Sequence, residues 1–241
     1  MRVAGTDRPA TAPRDTARFI GVVLQNPRAA FASTLVRDEI SLALELRGVA
    51  SGTAKARVLE LAERIGVSAV LDRNLSTLSA GEATLVAIAA AVVEQPPLLL
   101  VDEPLADLDA TARGRVIAVL NALAGDGVCV IVAEHRAAQF APVADFWWTI
   151  DDGALVPGAA PSAPSPTVEV RPSPVEPTDL MPVLTAANLA VHRKGTPLVR
   201  DASVTLHRGE VVALVGRTGQ ENRPCWWRLP WVRASATERG A

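Results

Sequence analysis

The stretch LSTLSAGEATLVAIAAAVVEQPPLLLVDEPLADLD, from Leu75 to Asp109, decides the fold. It holds helical apolar spacing from Gly81 to Glu94, a Pro96-Pro97 break, and a short apolar run, Leu98 to Val101, that ends in Asp102-Glu103. Downstream, Ala110 to Leu123 again has helical spacing, and Gly125-Asp126-Gly127 introduce a second apolar run, VCVIVAEH. Strand, helix, strand in that order predicts parallel pairing in an α/β domain. Upstream, the pattern continues as an apolar run FIGVVL from Phe19 and helical stretches over 36–47 and 54–65.

The chain has 241 residues, 49% hydrophobic and 21% charged, which suits one globular domain with room for a partial second. Its 24 basic and 26 acidic side chains leave a net charge of -2, without the electrostatic footprint that nucleic acid or anionic lipid requires. The apolar run Val86 to Val93 is far shorter than the ~20 residues of a bilayer-spanning helix. No apolar stretch follows the Arg- and Pro-containing N-terminus, so it does not read as a secretory signal, and a cytoplasmic location is expected. Two cysteines, Cys129 and Cys225, are too few for a disulfide framework or a metal knuckle.

Composition divides the chain further. Residues 1–18 lack periodicity and are expected to be disordered, and 19–153 hold the alternating strands and helices. Residues 154–182 are dominated by Pro, Ala and Ser and read as an extended linker. Residues 184–219 alternate as short strands (LTAANLAVH, ASVTLH, VVALVG) around a tight Arg208-Gly209-Glu210 connection, and 220–241 lose all periodicity.

Taken alone, a strand that ends in two acids and a proline is often a strand running into a turn. Here the order of features carries more: Leu78-Ser79-Ala80-Gly81-Glu82, a helix, a strand ending in Asp102-Glu103, then Leu105 to Asp109. In this order the chain resembles the ABC ATPase family, with LSAGE standing at the LSGGQ signature. The resemblance implies that Asp102 holds Mg²⁺ through water, that Glu103 polarises the attacking water, and that Asp109 lines the interface with a second ATPase domain. It also implies that Ser79, Ala80, Gly81 and Glu82, at the start of a helix, meet the γ-phosphate of a nucleotide presented by that second domain. Gln25 in VVLQNP matches the Q-loop, whose amide oxygen reaches metal and water, and His135 after VCVIVAE matches the switch histidine. The segment after Gln25, TLVRDEISLALEL, is similar to the energy-coupling-factor and cobalt-type importer branch. One departure is plain: Thr84-Leu85 stand where the family has Gln-Arg.

The family's phosphate-binding loop, GxxGxGK[ST], precedes the Q-loop by more residues than this chain has before Gln25. Residues 184–219 resemble the β-rich N-terminal subdomain of a second ABC domain and reach Gly216-Arg217-Thr218-Gly219, where the motif stops. Glu221, Asn222 and Arg223 replace its third glycine, lysine and hydroxyl residue. Codons for Gln220 to Trp227, read from the third base of the glutamine codon, are compatible with Gly-Lys-Ser-Thr-Leu-Leu-Val. A one-base loss after Gly219 is therefore the hypothesis for the aberrant tail, and an in-frame gene sequence without that reading would sink it.

The fold implied is an α/β, P-loop NTPase-like ABC ATPase domain, with a parallel sheet, flanking helices and a helical subdomain, followed by a partial second domain. The function implied is that of an ATP-binding subunit coupling ATP binding and hydrolysis to transmembrane import, peripheral at the inner face of the cell membrane. Its cofactors would be ATP and Mg²⁺, with Gly216 and Gly219 as remnants of the phosphate loop. Its partners would be a transmembrane subunit, reached through the region after Gln25, and a second ABC ATPase domain; nucleic acid is not among them. Two alternatives compete: a non-enzymatic remnant or interaction module, favoured by the broken loop, and a tandem ABC protein acting on ribosomes or DNA, disfavoured by balanced charge. A further expectation is that Val211 to Val215 lies beside Leu98 to Val101, filling a slot in the first sheet.

Overall fold

The computed structural model describes residues 2–3, 6–7, 13–161, 182–193 and 196–207. The chain divides into two units, Met1–Ser165 and Pro166–Ala241. In the first unit the elements are β1 (Arg2–Val3), β2 (Thr6–Asp7), β3 (Ile20–Val23), α1 (Pro27–Ala30), α2 (Val36–Leu46), α3 (Ser51–Ile65), α4 (Ala80–Val92), β4 (Leu98–Asp102), α5 (Ala110–Gly125), β5 (Cys129–Ala133), β6 (Trp147–Asp151) and β7 (Ala154–Gly158). The second unit contributes β8 (Pro182–Arg193) and β9 (Thr196–His207), an antiparallel pair.

β3, β4 and β5 form a parallel sheet in that spatial order. Parallel strands must be joined by crossovers, and α2 to α4 supply the first while α5 supplies the second. β4 is central, with Leu99 and Val101 buried. Helix α4 is apolar all round and lies inside the unit, with Val86, Ile88 and Ala89 fully buried. Gly21 makes its approach to the sheet feasible, because a Cβ there would meet the Ala91 carbonyl oxygen at 2.4 Å. α2 and α3 bury only one face each, Val36, Ile40 and Leu44 in α2 and Ala54, Val58, Ala62 and Ile65 in α3. α3 stops at Gly66 (φ +80°), whose left-handed backbone lets Gly66 and Val67 donate to the Ala62 carbonyl.

Two sequence expectations need correction. Within 1–18, Pro13–Arg18 is a 3₁₀ turn whose Thr16 carbonyl accepts from Phe19, and β1 pairs antiparallel with β2. The stretch read as linker starts too early, since β7 continues to Gly158 and pairs with β6 through an Asp152-Gly153 turn with φ of +45° and +74°. The expectation for Val211 to Val215 stands apart from these two; within the first sheet β4 pairs with β3 on one edge and with β5 on the other. Those five residues, like 208–241 as a whole and most of the linker, lie outside the described residues.

One ion pair ties the far ends of two helices together. Arg47, at the end of α2, meets Glu94, just past α4; their side chains are 25% and 4% exposed. The carboxylate is thus almost wholly desolvated, and its Oε1 has no hydrogen-bond partner. Removing the cation from such a pair costs more than the pair itself contributes. Arg47→Ala is expected to destabilise the first unit by about 3 kcal/mol, measured by urea denaturation, whereas Arg47→Ala with Glu94→Leu should recover most of that loss.

Candidate functional site

The three parallel strands end level with one another: Val23 stands beside Val101, and Val101 beside Val132. Each strand is followed within two residues by a polar side chain, Gln25 after β3, Glu103 after β4 and His135 after β5. Their convergence at one edge comes from the register. Glu103 turns the chain sharply there, with its N–H on the Ala133 carbonyl at 2.8 Å and φ of +43°, a left-handed conformation costly for a side-chain-bearing residue. Its carboxylate is gripped on both oxygens. Gln25 Nε2 donates to Oε2 at 2.9 Å, and His135 Nε2 lies 2.9 Å from Oε1. The imidazole is 87% exposed while Glu103 is 25% exposed, so the acid is held from the solvent side. Asp102 closes β4 opposite Ala133 with an exposed side chain.

A second feature is the turn into α4. Ser79 caps the helix: its hydroxyl accepts from the Glu82 N–H at 3.2 Å, and the Glu82 carboxylate accepts from the Ser79 N–H at 2.6 Å. Two guanidinium groups hold the chain that leads into this turn. Arg28, from α1, donates to the carbonyls of Ser76 and Leu78, and Arg73 donates to the Thr77 carbonyl at 2.6 Å and to Glu82 Oε1 at 3.0 Å. Burial acts to raise the Glu82 carboxyl, but the Ser79 hydrogen bonds and the Arg73 cation outweigh it and hold it below the ordinary value of 4.5. Gly81 is buried against α5, where a Cβ would fall 2.9 Å from that of Ala112. Asp109 caps α5 in turn, accepting from the Ala112 N–H at 2.7 Å. Thr84 and Leu85 are buried, and the Thr84 hydroxyl donates to the Ala80 carbonyl at 3.1 Å.

The structure therefore brings together Gln25, Glu103 and His135, and sets Ser79, Ala80, Gly81 and Glu82 in the first turn of α4. Gly216 and Gly219 lie outside the described residues. Sequence reasoning passes over Arg28, Arg73, Ala112 and Glu134. Glu134 accepts from the N–H groups of Leu105 and Arg136 at 3.2 and 2.9 Å, tying the loop after β4 to the loop after β5. Only Glu134 carries a signal, an acid beside His135 at a strand end.

Residues 2–106 match the family model described as ABC transporter. A putative ABC transporter ATP-binding protein of Streptomyces avermitilis is 36% identical over 207 residues, covering 84% of this chain and 35% of that protein. The arginine transport ATP-binding protein ArgV of Corynebacterium glutamicum is 34% identical over 142 residues, 59% of this chain and 56% of the relative. Among solved structures, cbiO1 from Clostridium perfringens, described as part of the ABC transporter complex cbiONQ, superposes with a TM-score of 0.54 at 26% identity. That match covers 58% of this chain and 56% of cbiO1. The chain spans about a third of the length of the Streptomyces relative and less than half of a Bacillus anthracis one.

The lowered Glu82 carboxyl carries a pH consequence. Its ionised form is favoured by folding, so its contribution is complete above the ordinary value of 4.5 and is lost as pH falls through the lower folded value. Glu82→Gln keeps an acceptor for Ser79 but no titration. Urea midpoints measured from pH 6 down to about 3 should fall less steeply in Glu82→Gln than in the unmodified chain.

Proposed function

This chain belongs with the ABC transporter ATP-binding proteins, and on that premise we propose that residues 13–161 form one half of a composite ATP-hydrolysing site for transmembrane import. The observation that carries the reading is the Glu103 carboxylate, held on one oxygen by Gln25 and on the other by His135 where three parallel strands end. A carboxylate so placed suits a general base, with Gln25 and His135 orienting it and the water it polarises. The first turn of α4, a helix N-terminus that carries the Ser79 hydroxyl, is the part offered to a nucleotide bound by a second ABC ATPase domain. Asp109, which caps α5, would line that same interface.

The oxygen donors at the sheet edge fit Mg²⁺: the exposed Asp102 carboxylate and the Gln25 amide oxygen are hard ligands, and such a cation takes few protein ligands besides phosphates and water. Bound there, it would supply charge neutralisation on the transferring phosphates. Among the described residues no group of three or more His, Cys, Asp or Glu side chains forms an all-protein metal cage.

The loop after Gln25 gives the reading its partner. A cavity of about 310 Å³, lined by Ile20, Val22, Phe31, Leu42 and Ala87 with Glu39 at its side, opens beside β3 and α2. Glu39 is buried and accepts from the N–H groups of Ala32 and Ser33 at 2.9 and 2.8 Å, which fixes the loop that borders it. An apolar recess with a rigid rim suits a short helix from a transmembrane subunit. No helix among the described residues is long and apolar enough to cross a membrane, so attachment to the inner face would run through that subunit.

The sequence also supports a second reading, a non-enzymatic remnant, because Gly216-Arg217-Thr218-Gly219 is followed by Gln220-Glu221-Asn222-Arg223 in place of a lysine and hydroxyl. In either case the purified chain is expected to hydrolyse ATP negligibly, since the sequence after Gly219 lacks the groups that grip the phosphates. Replacing residues after Gly219 with a GKST reading should restore nucleotide affinity in a titration. Glu103→Gln in that repaired chain should preserve binding and cut turnover by about 10²–10⁴-fold. Steady turnover by the unrepaired chain, abolished by Glu103→Gln, would show that it needs no such repair.

A further inference from the structure

Gly81 is the glycine of the LSAGE motif, and the usual reason for a glycine beside a phosphate is close approach of ligand to backbone. The structure shows what this one approaches. It is buried in the first turn of α4, and a Cβ built on it would lie 2.9 Å from the Cβ of Ala112. Ala112 Cβ is fixed by its own backbone and cannot swing aside as the tip of a long side chain could. Ala112 in turn donates its N–H to the side chain of Asp109, the cap of α5, while the turn containing Gly81 is capped by Ser79. The two helices therefore touch through their first turns, each within three residues of its cap.

We propose that Gly81 is a positioning residue: its missing Cβ seats the start of α4 on Ala112 and so fixes the Ser79 cap relative to the Asp109 cap. The functional side of this inference rests on the half-site reading above, in which Ser79 and Asp109 face the same partner domain. The contact itself does not depend on that reading. Its physical mark is a reversal of sign. In a helix turn with open space Gly→Ala stabilises, because alanine is the better helix former. Against Ala112 the same change overpacks a site that can relax only by shifting one helix on the other.

The test is a double-mutant cycle in the full chain: Gly81→Ala, Ala112→Gly and both together. Gly81→Ala is expected to raise the unfolding constant about tenfold, and to speed exchange of the Glu82 and Ala112 amides together. In the Ala112→Gly background the same change should be neutral or stabilising, and exchange at both amides should return to the rate of Ala112→Gly alone. ATP-dependent pairing with an ABC ATPase domain that has an intact phosphate loop, followed by sedimentation, should weaken at least fivefold in Gly81→Ala and recover in the double variant. Stabilisation by Gly81→Ala alone, or faster exchange confined to Glu82, overturns the proposal. So does pairing that stays lost in a double variant whose stability has recovered, since Gly81 would then serve the ligand directly. If even the unmodified chain fails to pair, the half-site reading fails, and the unfolding and exchange cycle still decides whether Gly81 positions the two caps.

Discussion

The level ending of β3, β4 and β5 is the constraint on which everything else in the first unit depends. A strand advances about 3.3 Å per residue and alternates its side chains between two faces. A slip of one residue between β4 and β5 would move Glu103 by that distance relative to His135 and turn Leu99 and Val101 away from the core. The 2.9 Å contact from His135 to the Glu103 carboxylate would not survive it, and a like slip between β3 and β4 would break the 2.9 Å contact from Gln25. Hydrophobic packing of the central strand and alignment of the polar cluster are thus set by a single register, and neither can be adjusted without the other.

Helix α4 joins that sheet to the second feature. Its apolar circumference places it in the interior, Gly21 lets it lie close to β3, and its first turn emerges beside α5 with the Ser79 cap. Because the helix is clamped along its length by the core, the direction of its N-terminus is fixed by burial rather than by the capping turn. Arg28 and Arg73 then secure the chain that enters it, through the carbonyls of Ser76, Thr77 and Leu78. Those carbonyls precede a helix and have no ladder partner of their own, so the two guanidinium groups satisfy the acceptors that the backbone leaves open.

The features legible in the sequence are local or periodic. The runs LLLVD and VCVIVA are short, apolar and framed by Pro or Gly, and the acids and histidine after them mark their ends. Ser79 with Glu82 three residues on is a capping pattern visible without coordinates. The parts that escape depend on pairs distant in sequence. Nothing around Arg28 indicates that it reaches the Leu78 carbonyl, and Ala112 acquires meaning only once α5 is laid against Gly81. The hairpin strand β7 reads as linker because its residues ALVPG share the small, Pro-containing composition of residues 159–182; its pairing with β6 overrides that composition. The neighbours of β4 escape for another reason, since the order β3-β4-β5 is a property of the whole sheet and cannot be read from one strand.

The order of β3 and β4 in the sheet also governs when the chain can fold. Ile20 pairs with Leu98, and every residue of α1 to α4 is made between them. At a synthesis rate of about 5–20 residues per second, β3 waits on the order of ten seconds for its partner. During that time α4 emerges with no polar face and no sheet to cover it. Contacts this far apart in sequence close slowly, so the nascent chain passes through a long interval in which its most apolar helix is unprotected.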